Sequence, residues 1–213
     1  MKVRVTLLIT LSIWMLSSAI GRSHVAYAQS SHAYVGEKKC ASCHDSHEQL
    51  QDIVGPDGNP GANPADVWKA DKHSQAFDNL TGSERATKAA GVAQIAATDT
   101  QTSSKCLSCH ATGASSDSPP SSDQGVSCEA CHGPGADYRP QDKHGAITDA
   151  ASMQAAVALG LIDMRDPAAR EKNCRGCHLV NAKDRPCYIS TEPPFDMHND
   201  KKFQHWRNNV PVL

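Results

Sequence analysis

Four Cys-x-x-Cys pairs in this sequence are each followed directly by His. They are Cys40-Ala-Ser-Cys43-His44, Cys106-Leu-Ser-Cys109-His110, Cys128-Glu-Ala-Cys131-His132 and Cys174-Arg-Gly-Cys177-His178. The pattern is typical of covalent haem attachment, in which both sulfurs add to the haem vinyl groups and the adjoining imidazole binds the iron. We therefore predict four covalently bound haem c groups, with the four motif histidines as the proximal iron ligands.

Other chemistries could use the same cysteines. Two Cys-x-x-Cys pairs could form a zinc site, and eight cysteines could form four disulfides. Neither alternative explains why His follows every pair at the same offset, so haem is the preferred interpretation. The ninth cysteine, Cys187, lacks this context. It is either a thiol without a role, or it forms an intermolecular disulfide or a contact near a haem.

The N-terminal residues 1–28 have the pattern of an export signal. Lys2 and Arg4 precede an apolar run from Thr6 to Ile20, and residues 26–28 (Ala-Tyr-Ala) have the form of a cleavage site. The run is too short to span a membrane comfortably, which disfavours a membrane anchor. We expect a mature chain of residues 29–213, located in the periplasm or outside the cell, with no membrane span.

Composition indicates a single domain that is organised by its haems. Only 5% of the residues are aromatic, so the chain itself can bury little apolar surface. Removing residues 1–28, which carry three basic and no acidic residues, changes the formal net charge from −2 to −5. This acidity argues against nucleic acid and favours a redox partner with a basic docking patch. We predict a mostly α fold with little regular sheet and with four haems forming the core.

Three helices are predicted between the motifs. Asn63-Pro64 should begin a helix that continues over residues 65–80, with Asn63 as the N-cap and Pro64 at the first position. An Ala-rich segment at 83–97 predicts a second helix, interrupted near Gly91. Residues 148–161 predict a third helix, capped by Thr148 or Asp149.

The numbers of candidate residues favour His over Met as the second axial ligand of each iron. The mature chain has three Met, at positions 153, 164 and 197, but six His outside the motifs: His32, His47, His73, His144, His198 and His205. We therefore expect mostly bis-imidazole irons, which have lower reduction potentials than His/Met haems.

The motifs and their neighbours resemble the tetrahaem cytochrome c-554 family of ammonia-oxidising bacteria. Residues 38–44 (Lys-Lys-Cys-Ala-Ser-Cys-His), followed by Trp68-Lys69 and His73, are similar to the family's first haem segment. Residues 125–135 (Gly-Val-Ser-Cys-Glu-Ala-Cys-His-Gly-Pro-Gly) are nearly the family's third-haem signature, and residues 174–179 match the fourth. The likeness covers most of residues 36–205.

The resemblance implies a set of distal ligands. His73 would bind the haem of His132, His144 that of His44, and His205, or else His198, that of His178. The haem of His110 would be five-coordinate and open on one side. His32 and His47 are additional to the family pattern and could close that haem or serve a neighbouring subunit of a homo-oligomer. The resemblance also implies a hydroxylamine-oxidising enzyme as redox partner.

Three functions are consistent with these features. Electron transfer between redox partners is the preferred one, because six-coordinate haems carry electrons but cannot bind substrate. A second is an enzyme that reduces nitric oxide or a related small nitrogen species at an open His110 haem, which would also need acid or base groups nearby. The third is a subunit of an extracellular conductive filament, in which the additional histidines bind haems of the next subunit.

Overall fold

Short helices and turns make up almost all of the regular structure. The computed structural model describes residues 32–45, 53–54, 63–117, 119–144, 147–178 and 206–207. In chain order the α-helices are α1 (Glu37–His44), α2 (Pro64–Lys69), α3 (Glu84–Ala93), α4 (Ser104–His110), α5 (Cys128–His132), α6 (Gln141–His144), α7 (Ala150–Ala158) and α8 (Pro167–Arg175). Single 3₁₀ turns span Asp78–Leu80, Ala97–Asp99 and Ser122–Gln124.

The sheet is minimal, and the prediction of a mostly α fold is confirmed. Two strands of two residues each, β1 (Ile53–Val54) and β2 (Trp206–Arg207), pair antiparallel. In this pair Ile53 lies opposite Arg207 and Val54 lies opposite Trp206.

The start of α2 is as predicted, but its end is not. The Asn63 side chain accepts a hydrogen bond from the Ala65 N–H at 2.9 Å, and Pro64 occupies the first helical position. The helix ends at Lys69 instead of continuing to residue 80. At this point the Asp71 carboxylate accepts the backbone N–H of His73 at 2.8 Å, which replaces helical pairing with a local side-chain turn. This turn sets the direction of the His73 ring.

The other two predicted helices also form, and of the two caps suggested for the third helix it is Asp149 that is used. Ser83 caps α3 by accepting the Ala86 N–H at 3.0 Å, and the helix runs through Gly91 without interruption. It ends earlier than predicted, because Gln94 has a left-handed backbone (φ 55°) that terminates the helical hydrogen bonds. Asp149 caps α7 in a reciprocal arrangement with Ser152.

Small residues dominate the buried apolar positions among the described residues. Six of the eleven are alanines, and the largest cluster contains Tyr138, Met153, Ala156 and Leu161. A core of this size gives a limited hydrophobic contribution to folding. In the described part of the chain the protein itself thus supplies little buried apolar surface, and porphyrins bound at the motifs would add to it.

Polar contacts connect the segments that carry the motifs. The Trp68 indole N–H donates to the Val126 carbonyl at 2.9 Å, and the Val126 N–H donates to the His73 carbonyl at 3.0 Å. The Asn173 side chain of α8 donates to the Ala130 carbonyl of α5 at 2.9 Å. These bonds hold the segment of Trp68 and His73 and the fourth motif against the third motif.

Candidate haem-binding site

Each motif lies on a helix or at its end. Helices α1, α4 and α5 end at His44, His110 and His132, so each contains a complete Cys-x-x-Cys-His sequence. Helix α8 contains Cys174, and the chain continues in a helical turn in which the His178 N–H donates to the Cys174 carbonyl at 2.8 Å. Residues three and four positions apart share one face of a helix. Both sulfurs and the imidazole of every motif are thereby directed to one side, as haem attachment requires.

Helices α1 and α5 bring the first and third motifs into contact. The Cys40 and Cys128 thiols hydrogen-bond to each other, which raises the pKa of Cys40 and lowers the pKa of Cys128. Their contact joins residues that are far apart in the sequence. It places the attachment edges of the first and third haem sites side by side.

The fourth motif lies between the third and the second. Burial raises the pKa of Cys131 to about 12, and the charge of nearby Cys174 contributes to this shift. On the other side, the Cys177 sulfur lies 4.0 Å from the carbonyl oxygen of Ser108, inside the second motif. These contacts link the motifs in the order first, third, fourth, second. The flanks of the second and third motifs also meet, because the Ser127 N–H donates to the Thr112 hydroxyl at 2.7 Å.

Two pairs of imidazoles face each other. The His44 and His144 ring centres are 5.7 Å apart with an interplanar angle of 70°, and those of His73 and His178 are 5.9 Å apart at 80°. With a metal–nitrogen bond of about 2.0 Å, two imidazoles on opposite sides of one metal ion have ring centres about 6 Å apart. The spacing of both pairs thus fits two axial ligands of one haem iron.

One of these pairs differs from the pairing that the sequence implied. His144 lies beside His44, as expected. His73 lies beside His178 of the fourth motif, whereas the resemblance implied His132 of the third. The Asp71 turn and the bond between α8 and α5 bring His73 to the fourth motif, and neither feature follows from motif spacing.

Hydrogen-bond acceptors orient three imidazoles through Nδ1. Asp71 Oδ1 lies 2.6 Å from Nδ1 of His73, Asp137 Oδ2 lies 2.5 Å from Nδ1 of His32, and the Ala76 carbonyl oxygen lies 2.6 Å from Nδ1 of His110. Such partners fix the tautomer and direct Nε2 towards a metal, and a carboxylate increases the basicity of the ligand more than a carbonyl does.

Sequence analysis overlooked Glu129, which lies between the two cysteines of the third motif. Its side chain is 1% exposed. Its carboxylate accepts the backbone N–H groups of Val35, Gly36 and Gly135 at 2.6–3.2 Å. A Glu is usually exposed to solvent, so there was little reason from the sequence to expect a buried role for this one. Its position between two haem-attaching cysteines was the one feature that could have indicated burial. Glu129 fastens the chain before α1 to α5.

Several predicted residues lie outside the described part of the chain. They are residues 1–28, His47, Cys187, His198 and His205.

Comparisons with known proteins agree with this site. A family model described as "Cytochrome c554 and c-prime" matches residues 39–133, which contain the first three motifs. A cytochrome c-554 from Nitrosomonas europaea (strain ATCC 19718 / CIP 103999 / KCTC 2705 / NBRC 14298) is 26% identical over 178 residues, covering 80% of this chain and 68% of that protein. No solved structure matches.

The motif-bearing helices and the paired imidazoles define a c-type cytochrome, a carrier of electrons through covalently bound haem iron. The two matches support the resemblance to the cytochrome c-554 family that the sequence motifs indicated. Proteins of this class act with redox partners. Within the residues that the structure describes, no helix has both the length and the apolar character needed to cross a bilayer.

Proposed function

We propose that this chain is an exported tetrahaem electron carrier in which electrons pass between the haems in the order first, third, fourth, second, or the reverse. The observation that carries the proposal is the set of contacts between motifs: Cys40 with Cys128, Cys131 near Cys174, and Cys177 beside Ser108. Haems attached to these neighbouring motifs would lie close enough for rapid transfer of single electrons.

The residues of the chain hold and orient the cofactors. The four Cys pairs would form the thioethers, the motif histidines would bind iron, and His144 and His73 would be the second ligands for the haems of the first and fourth motifs. Bound haem supplies the reversible one-electron change of the iron. Asp71 keeps the His73 ring in the tautomer that presents Nε2 to the metal.

Export and partners belong to the same proposal. Cleavage after residue 28 would release the carrier into the periplasm or the extracellular space, where haem attachment to such motifs takes place. Its acidic surface favours donors and acceptors with basic docking patches. A hydroxylamine-oxidising enzyme is a candidate donor, because the family resemblance implies one.

Mass spectrometry and redox titration test the basic proposal. The secreted protein should begin near Gln29 and carry the added mass of four haems. Paramagnetic resonance of the oxidised protein should show mostly low-spin irons. Fewer than four haems would refute the tetrahaem assignment. A high-spin iron that turns over nitric oxide would favour the enzyme, and micrographs with filaments of native protein would favour the conductor.

A pair of matched variants tests the order of the haems. His144→Met and His73→Met make the same chemical change at an end haem and at an interior haem of the proposed sequence. The Met ligand raises the potential of the affected iron. We expect His73→Met to slow electron throughput between the two ends, and His144→Met to change exchange with one partner only. Equal effects of both variants on both partners would refute the order.

A further inference from the structure

We propose that His32 is the second axial ligand of the third haem, on the side opposite His132. The inference rests on the proposed function, since it requires a haem at Cys128 and Cys131. It assigns a residue outside the family pattern. Sequence analysis had suggested that this residue closes the second haem or serves a neighbouring subunit, and the inference places it at the third haem instead.

The chain next to His32 is attached to the third motif. The Ala33 carbonyl accepts the Ala136 N–H at 3.1 Å, only a few residues beyond the motif. Glu129, inside the motif, accepts the N–H groups of Val35 and Gly36 at 2.8–3.2 Å. These bonds keep residues 32–36 against α5 and the loop that follows it. They hold the chain at His32 beside the third motif.

A single turn contacts both His32 and the third motif. The His32 ring lies over Gly160, so close that a Cβ on Gly160 would be 3.0 Å from two ring carbons. On its other side, the Gly160 carbonyl lies against Gly133, the residue that follows His132. Two residues along, the Ile162 N–H donates to the His132 carbonyl at 2.9 Å. This turn therefore lies between the His32 ring and the backbone of the third motif at His132 and Gly133.

The environment of the His32 ring repeats that of His73. In both cases a carboxylate lies 2.5–2.6 Å from Nδ1, from Asp137 for His32 and from Asp71 for His73. An imidazole that donates from Nδ1 presents Nε2 as its ligating nitrogen. His73 faces His178 of the fourth motif, and His144 faces His44 of the first. His73 and His144 are therefore assigned to other motifs. Of the imidazoles outside the motifs that the structure describes, His32 is the one oriented for a metal at the third motif.

The test is a set of holoprotein variants: His32→Ala, His32→Met, His198→Ala and His205→Ala. Mass spectrometry first establishes that each carries four haems, which separates a failure of this inference from a failure of the proposed function. Paramagnetic resonance then counts low-spin irons. We expect His32→Ala to convert one low-spin iron to high-spin and to bind one additional cyanide. The two C-terminal variants should match wild type.

His32→Met serves where His32→Ala does not mature. It should give a stable holoprotein with the absorption band of a methionine–iron bond. A structure of the cyanide complex of His32→Ala should show the additional cyanide on the iron of His132.

Three outcomes would overturn the inference. They are an unchanged spin state in His32→Ala, the opening of the third iron in His198→Ala or His205→Ala, and the additional cyanide on the iron of His110. A positioning role for Asp137 is tested by Asp137→Asn. This variant should keep the low-spin count but raise the potential of one haem.

Discussion

Replacing Glu129 with Gln should destabilise the protein severely for a change of so few atoms. The carboxylate accepts N–H groups at both oxygens, with Val35 and Gly135 at Oε1 and with Val35 and Gly36 at Oε2. Gln has only one acceptor oxygen, so its NH₂ group must face at least one N–H donor. An unsatisfied buried donor costs about 1–3 kcal/mol, and the remaining bonds lose their charge-assisted character. We expect a total loss of about 2–4 kcal/mol.

Thermal unfolding of the holoprotein, followed by circular dichroism, measures this loss. For a chain of this length the expected decrease in melting temperature is about 5–15 °C. The matched control is Glu84→Gln, because Glu84 is 83% exposed and pairs with Lys88 on the surface of α3. That variant should stay within about 0.5 kcal/mol of wild type. If both variants unfold at the same temperature, Glu129 does not hold the N-terminal segment as described.

Four further outcomes follow from the same contacts. Asp71→Asn should raise the potential of one haem in a spectroelectrochemical titration, because a neutral acceptor replaces a carboxylate; a tenfold change in relative affinity corresponds to about 60 mV. The bidentate pair with Arg165 lowers the pKa of Asp163. The contribution of this pair to the free energy of unfolding is therefore complete above about pH 4 and is lost as the pH falls below that value. In Asp163→Asn the free energy of unfolding should decline less steeply on acidification than in wild type. Gly133→Ala should cost about 3 kcal/mol or more in denaturant unfolding, because Gly133 has φ 80° and its Cβ would meet a backbone carbonyl. Protein expressed without haem attachment should show little helical circular dichroism and no cooperative unfolding.

Each of these outcomes has a control. Asp66→Asn changes an exposed carboxylate near Asp71 and should leave all potentials unchanged. Gly91→Ala places a methyl group in open space within α3 and should stabilise the protein by about 0.5–1 kcal/mol. Asp166→Ala removes a nearby carboxylate that caps α8 and serves as the comparison variant for Asp163→Asn. A helical, cooperatively unfolding apoprotein would contradict the small size of the apolar core.

Local features of the fold followed from the sequence where one or two residues determine them. The caps at Asn63 and Asp149 and the proline at position 64 could be predicted because a short side chain satisfies nearby N–H groups. The early end of α2 could not, since Asp71 competes with the helix only when its carboxylate also meets the His73 ring. A helical pattern alone carries no information about that second contact.

For the haem-binding site too, the features set by adjacent residues could be predicted and those set by packing could not. The four motifs were evident because thioether attachment and proximal ligation use residues adjacent in the chain. The partner of His73 depends on how α8 packs on α5, and the proximity of His32 to the third motif depends on a turn more than a hundred residues away. Glu129 was missed because its importance comes from backbone donors in a different segment.

The interleaving of the motifs has a consequence for how such a protein can evolve. Motifs that contact each other are not always consecutive along the polypeptide: a break between residues 110 and 128 would separate the first motif from the third and the second from the fourth. Gene truncation or fusion at that point would therefore remove the contacts between these pairs of motifs. Lineages that shorten or extend this carrier are therefore constrained to add or remove material at its ends and in its loops.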